Sequence, residues 1–320
     1  MGLRRPRSAL LRIPLDEVSF ARRGFWAGTD HARQQLEESG RSFLAGYHAA
    51  LSDAAPSALA LRLHAVASDF RGFAFEGAAM GLALLDALSP WRLRRVGVFI
   101  AGPGDPHRYM AHVGIGWAVA RLPWLRWRID KELARLDPLL RWLAVDGYGF
   151  HEGYFRPAHA ARGERARPRS LEGYARRAFD QGLGRSLWFV ESGDVARISA
   201  AIAVFPQDRR ADLWSGIGLA SAYAGGVDAD SLRHLRLHAK DYAGHMAQGV
   251  AFAAKARSRA GNPTAHTERA CRILAGVSAD EAAAMTDHAL EDLPPDRAEP
   301  AYEIWRRRIQ LAFDRHEVVG

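Results

Sequence analysis

Apolar positions recur at helical spacing through most of the 320-residue chain, and glycine and proline punctuate them. Asp105-Pro106 and Asp137-Pro138 each place an acceptor side chain ahead of a proline, whose missing N–H costs nothing in a first helical turn. Thr29, Thr267 and Ser278 read as further N-caps, the last opening the alanine-rich run 279–290. Strand character is confined to two short stretches, 12–20 and 95–100. The pattern predicts a mainly α fold with a few short strands.

Self-similarity refines that expectation. Residues 108–116, 141–149, 176–184 and 210–218 all read Arg-x5-Gly-x-Gly, and 71–79 keeps the spacing with alanine at the end. The first small residues are Gly77, Gly114, Gly147, Gly182 and Gly216, at steps of 33 to 37, with weaker echoes at Gly46 and Gly249. A period near 34 is that of stacked helical hairpins, each too small to bury its own apolar face. A glycine inside a helix costs about 1 kcal/mol relative to alanine, and close helix–helix approach is the natural compensation. The expected architecture is an irregular helix-hairpin array or an α/α toroid: an N-terminal arm over 1–25, a repeat domain over 26–260, and a C-terminal helical cap over 261–320. The Arg-rich stretch about 156–170 reads as an exposed loop. The residues before the repeat glycines are Glu76, Val113, Asp146, Gln181, Ser215 and Gln248. If the units stack alike, these mostly polar side chains share one concave face.

Composition narrows the function classes. Hydrophobic residues make up 48% and charged ones 25%, which suits a folded chain and not a disordered one. The longest apolar run, 77–88, is short and carries Asp86, so no membrane span is expected. Arg12 and Pro14 interrupt any secretory apolar core, and Pro6 stands where myristoylation needs Ser or Thr, which predicts a cytoplasmic location. Cys271 is the lone cysteine, excluding an internal disulfide or a Cys-based zinc site and reading as a buried filler. The net charge of +8 raises nucleic acid as a partner. However, only Lys131, Lys240 and Lys255 of the 44 basic residues are lysine, which looks like a GC-rich coding bias, so no nucleic-acid partner is expected.

Three constellations could carry chemistry. The decapeptide 146–155 packs Asp146, Tyr148, Phe150, His151, Glu152 and Tyr154 among glycines, so His151 with Glu152 could do acid–base work; a glycine-rich aromatic turn is the alternative. It is not His-Glu-x-x-His. His234, His238, Asp241 and His245 fall on one helical face and could offer a metal pair, or form a solvated flank. Arg108, flanked by His107 and His112, could hold an anion at a helix start or pair with Asp105. Trp214 with Asp212 could wall a site beside Arg210. No nucleophile elbow, phosphate loop or dinucleotide fingerprint occurs, so no cofactor is expected.

Several strings resemble a bacterial family of unknown function found in enediyne polyketide gene clusters, the UnbL-type family. They are Arg71-Gly72-Phe73-Ala74-Phe75-Glu76-Gly77-Ala78-Ala79-Met80, the run 107–118, Asp146-Gly147-Tyr148-Gly149-Phe150-His151, Gly184-Arg185-Ser186-Leu187-Trp188-Phe189, the run 210–220 and the run 248–257. The resemblance implies a role in building or maturing an enediyne core or a similar unsaturated polyketide, and implies no catalytic residues. From the residues themselves, Phe73, Phe75, Trp117, Tyr148, Phe150 and Trp214 are expected to wall a cavity for an apolar polyketide intermediate, with Gln181 and Gln248 contributing polar contacts. Glu76, Asp146 and His151 would move protons while Arg108 and Arg210 steady negative charge. The competing expectation is a non-catalytic repeat protein that shields or delivers an intermediate. Pathway enzymes or a second copy of the chain are its possible partners.

Overall fold

A computed structural model describes residues 11–52, 55–89, 94–160, 167–168 and 170–319. Its helices are α1 (Asp30–Ser52), α2 (Pro56–His64), α3 (Ser68–Ala87), α4 (Arg95–Ala101), α5 (Arg108–Arg121), α6 (Arg141–Phe155), α7 (Ala175–Val190), α8 (Val195–Ala203), α9 (Gln207–Ala224), α10 (Ala229–His238), α11 (Ala243–Ala260), α12 (Ala265–Ala270), α13 (Ala279–His288) and α14 (Ala301–Val319), with short helical turns between. The long helices α1, α3, α5, α6, α7, α9 and α11 form an inner row in which each packs on the next. Successive members run the same way. Arg177 near the start of α7 binds Asp212 near the start of α9, and Trp188 near the end of α7 donates to the Gly225 carbonyl just past the end of α9. Parallel neighbours need a crossover, and shorter pieces such as α2, α4 and α8 supply it.

The glycine pairs are the joints of this row. A Cβ at the first glycine of each pair would land on a backbone carbonyl of the preceding helix, at the residue before that helix's own repeat glycine. Gly114 meets Glu76, Gly147 meets Val113, Gly182 meets Asp146, Gly216 meets Gln181 and Gly249 meets Ser215. The second glycine does the same with the following helix: Gly116 meets Ala144, Gly149 meets Phe179, Gly184 meets Leu213 and Gly218 meets Met246. Gly46 meets Ala74 in this second way, so it is a second-position glycine. Helices α5, α6, α7 and α9 thus each present bare backbone to both neighbours, and close packing compensates the lost helix propensity.

The recurrent arginine has an equally local task. Arg71, Arg176 and Arg210 donate Nε to the carbonyls of Val66, Leu171 and Phe205, five residues back, at 3.3, 2.7 and 2.9 Å. Each ties the end of a connecting segment to the start of an inner helix, satisfying carbonyls that a helix end leaves open.

The row curls on itself. Gln35 of α1 donates to the Ala224 carbonyl at 3.1 Å, Arg257 of α11 to the Asp69 carbonyl at 2.9 Å, and the rings of Phe73 and Tyr223 meet edge to face at 5.3 Å. The C-terminal helix α14 packs on α11. Cys271 is buried in a π-helical turn, Cys271–Ala275, that follows α12.

Three local expectations are corrected. Among the described residues there is no strand: Leu15–Val18 is a 3₁₀ turn and 95–100 lies in α4, anchored by Asp86, which accepts from Val96 N at 3.1 Å and pairs with Arg95. With no partner ladder available, these β-branched stretches take the helical alternative. Asp105-Pro106 opens a 3₁₀ turn, Asp105–His107, in which the Asp105 side chain caps nothing and pairs with Arg259 instead. The cap of α12 is Thr264 rather than Thr267; Thr29 and Ser278 do cap their helices. The Arg-rich stretch 156–170 falls partly outside the described residues.

Candidate functional site

The side chains that precede the repeat glycines do meet, along the inside of the curl. Trp117 Nε1 donates to Glu76 Oε1 at 3.0 Å. Arg185 binds Asp146, whose other oxygen accepts from Gln181 Nε2 at 2.8 Å. Ser215 Oγ lies 3.3 Å from Gln181 Oε1 and 2.9 Å from Gln248 Oε1, and the latter also accepts from Arg306 Nε at 3.0 Å. Arg306 pairs with Asp212 at 2.9 Å and with Glu303 at 3.4 Å. One stack of equivalent positions has become a buried polar spine through the molecule.

Two apolar cavities flank its acidic end, and Arg185 lines both. One has about 530 Å³ of empty space, part of it open to solvent, between α1, α3, α5, α6 and α7; Phe43, Phe73, Glu76, Trp117, Phe150 and Phe189 are among its walls. Glu17 also reaches it, held by Arg23 at 2.7 Å. The other, about 460 Å³, is bounded by Met110, Val113, Leu219, Tyr223, Phe252 and Trp305 among others.

Glu76 is 2% exposed. Burial pushes its carboxyl up to about 7; the Arg185 charge and the Trp117 N–H oppose the rise and Asp146 adds to it. A carboxyl that titrates near neutrality can both take and return a proton. Only Oε1 is engaged: among the described residues Oε2 accepts no hydrogen bond. Arg185 is held above the ordinary guanidinium value by Asp146 and Glu76 against its burial, so it remains a cation between the cavities. Among the described residues its guanidinium hydrogen-bonds Asp146 alone and lies over the Phe150 ring, 5.0 Å from its centroid.

Of the residues singled out in the sequence, Glu76, Asp146, Phe73, Trp117 and Phe150 gather at this site. His151 sits beside it, its ring 5.6 Å from Trp117, with Nδ1 3.3 Å from Glu152. Burial lowers its pKa against the pull of Glu152, so it is neutral at pH 7. The decapeptide is no turn: it lies within α6, and its glycines Gly147 and Gly149 serve neighbouring helices rather than a ligand. Arg108 binds Asp137 at 3.1 Å and Asp105 at 3.8 Å, and Arg210 binds the carbonyls of Phe205 and Ala203, so neither reaches the acids. Phe75 points to the other face of α3, stacked on His107 at 4.1 Å. Tyr148 packs on Phe179, and Trp214 is buried apart from both cavities. Gln181 and Gln248 are spine members bonded to neighbours, not cavity walls. The proposed histidine stripe is broken, because α10 ends at His238 and a 3₁₀ turn, Lys240–Tyr242, redirects the chain before His245. Among the described residues no group of three or more His, Cys, Asp or Glu could hold a metal ion. No helix of theirs is long and apolar enough to cross a membrane.

Arg185 is the residue that motif reading missed. Its signal lies in register: three places after each first glycine stand Met80, Trp117, Phe150, Arg185, Leu219 and Phe252. One charge in a column of large apolar side chains marks a buried cation that needs an acid.

Fold and site together define a curled, all-α repeat protein with a buried carboxyl–guanidinium centre between two apolar cavities. The chain belongs to the family described as protein of unknown function (DUF1702), whose model matches residues 2–313. No curated protein and no solved structure matches it.

Proposed function

We propose that the chain is an acid–base catalyst acting on an apolar, unsaturated chain, with Glu76 as the proton carrier. The observation that supports this most is the Glu76 carboxyl itself: one oxygen fixed by Trp117, the other uncommitted, pKa about 7, in an apolar wall. Such a group removes a proton from an activated carbon and returns it to another, shifting double bonds without an electron donor or acceptor. Asp146 is locked to Arg185 and Gln181 and serves to fix the cation, while the aromatic walls hold the chain. The sequence resemblance to proteins of enediyne gene clusters makes a polyketide intermediate the substrate this reading favours.

The test is proton exchange. Purified protein is incubated in D₂O with a linear conjugated polyenone, and deuterium incorporation and absorbance are followed. Wild type is expected to incorporate deuterium, and Glu76→Gln to bind the polyenone yet leave it unexchanged. Polyenone that binds wild type with every C–H retained and its spectrum unmoved would overturn catalysis and leave a carrier that shields its cargo.

A further inference from the structure

Crossover helices α2, α8 and α10 turn apolar side chains inward, burying Leu59 and Leu63, Ile198 and Ile202, and Leu232 and Leu235. The crossover between α5 and α6 begins differently. Its first piece is a single turn, Pro123–Arg126, in which no residue is buried. Leu122 and Leu125 pack part-way onto the core, and Arg126 hydrogen-bonds the Tyr148 hydroxyl, so the turn is fixed to the body of the protein. The two indoles are left outside: Trp124 is 43% exposed and Trp127 81%. An indole that exposed adds little to the fold, and two of them three residues apart make an apolar patch that calls for a partner.

The charges around the patch identify that partner. Residues 121–135 hold Arg121, Arg126, Arg128, Lys131 and Arg135 against only Asp130 and Glu132. Among the described residues, the one ion pair of this segment joins Arg135 to Glu132 at 2.9 Å, which leaves Asp130 facing four cations. Of these, Arg121, Arg128 and Lys131 are exposed. Indoles flanked by arginine and lysine suit a membrane interface, where the rings enter the headgroup boundary and the cations meet anionic lipid. A single-stranded nucleic acid would need a basic groove to follow its backbone, and neither cavity reaches this turn. We propose that the 121–135 crossover docks the protein reversibly on an anionic bilayer surface. Trp124 and Trp127 are the inserted anchors, and Arg121, Arg128 and Lys131 face the lipid headgroups. Such a contact needs no spanning helix, and among the described residues there is none. The inference does not depend on the proposed proton transfer.

The experiment sediments purified protein with vesicles of phosphatidylcholine alone, or with about one-third phosphatidylglycerol, at low and high salt. Wild type is expected to pellet with the anionic vesicles and to be released as salt rises. Trp124→Ser/Trp127→Ser and Arg128→Glu/Lys131→Glu should each lower the partition coefficient about tenfold or more. Their thermal midpoints should stay at the wild-type value, because the altered side chains are exposed. Brominated acyl chains should quench part of the wild-type tryptophan fluorescence, and that part should be missing in the tryptophan variant. Equal pelleting with neutral vesicles, or partition that either double variant leaves intact, would overturn the proposal. So would tighter binding to single-stranded poly(dT) than to anionic vesicles, lost in the same variants. A concentration-dependent dimer that wild type forms without binding vesicles, and that the tryptophan variant does not form, would overturn it as well.

Discussion

The position before each repeat glycine is the same place in the architecture, and the two ends of the inner row use it differently. On the α3–α6 side it carries Glu76 and Asp146, facing Arg185 and the aromatic walls of a cavity. On the α7–α11 side it carries Gln181, Ser215 and Gln248, neutral groups bonded to one another, and α14 inserts Arg306 against them. Arg306 is wholly buried and answered by Asp212, Glu303 and Tyr174. Arg185 is hydrogen-bonded by one carboxylate, Asp146, with the Glu76 charge nearby, and it lines two cavities. Identical backbone geometry thus yields a plugged end and an open end. The proposed chemistry falls at the open one because Glu76 and Arg185 line cavities there; unpaired atoms do not separate the ends, since Gln248 Nε2 and Arg306 Nη2 lack partners at the plugged one.

The largest expected effect tests that contrast directly. Arg306→Met strips Gln248 of its guanidinium donor and leaves Asp212 with Arg177 alone, and should cost about 3–5 kcal/mol of unfolding free energy in urea. Arg185→Met leaves the wholly buried Asp146 without a cation, so it should cost a comparable amount and, unlike Arg306→Met, abolish the Glu76-dependent deuterium exchange under conditions where the variant is folded. Exchange lost equally in both variants, or kept in Arg185→Met, would mean that both arginines are structural and that the distinction is false.

Next in size is the joint that both ends share. At Gly182 a methyl group would strike the Asp146 carbonyl, and backbone cannot swing aside as a side chain can. Gly182→Ala should destabilise by about 3 kcal/mol and shift the residues of both cavities with it. A loss below about 1 kcal/mol would show that the helices slide apart cheaply, and the repeat would not be what holds Asp146 against Arg185.

How much of this was legible beforehand follows from what a period can encode. The Arg-x5-Gly-x-Gly recurrence identified every inner helix from α3 to α9 and the convergence of Glu76, Asp146, Gln181, Ser215 and Gln248, because equivalent register means equivalent direction. It misjudged Arg108 and Arg210, reading as chemistry a local carbonyl tie or ion pair that any helix start can use. Phe75 was placed in the cavity wall although it precedes Glu76 by one residue, and about 100° of helix turn sends it elsewhere. Arg185 and Tyr223 were invisible to motif reading: one needs the repeats aligned in columns, and the other needs the curl that brings α9 against Gly72. Long-range closure of that kind has no local signature.

A smaller and pH-dependent effect belongs to Glu76. Its folded pKa, about 7, lies above the ordinary carboxylate value, so the fold favours the protonated form. The resulting stability is present in full below about pH 4.5 and is lost as pH rises toward and through 7. Glu76→Gln removes that slope. It should match wild type at pH 4.5 and exceed it by roughly 2–3 kcal/mol at pH 8 in urea titrations. A constant offset across this range would mean that Glu76 is ionised throughout, like Asp212, whose two arginine partners hold it below the usual carboxylate range against its burial. The open end would then be electrostatically no different from the plugged one.

The smallest effect separates glycine as a joint from glycine as a weak helix former. Gly97 lies inside α4, on the outer layer, and a Cβ there would meet nothing within 4 Å. Gly97→Ala therefore gains helix propensity without a clash, and should raise stability by up to about 1 kcal/mol. The opposite signs at Gly97 and Gly182 arise from one physical term, the distance from a new methyl to the next backbone. If Gly97→Ala instead destabilised the protein, then α4 would need its flexibility. Gly182→Ala could then no longer be read as a clash alone, since the same chemical change would carry a cost where no neighbour exists to be struck.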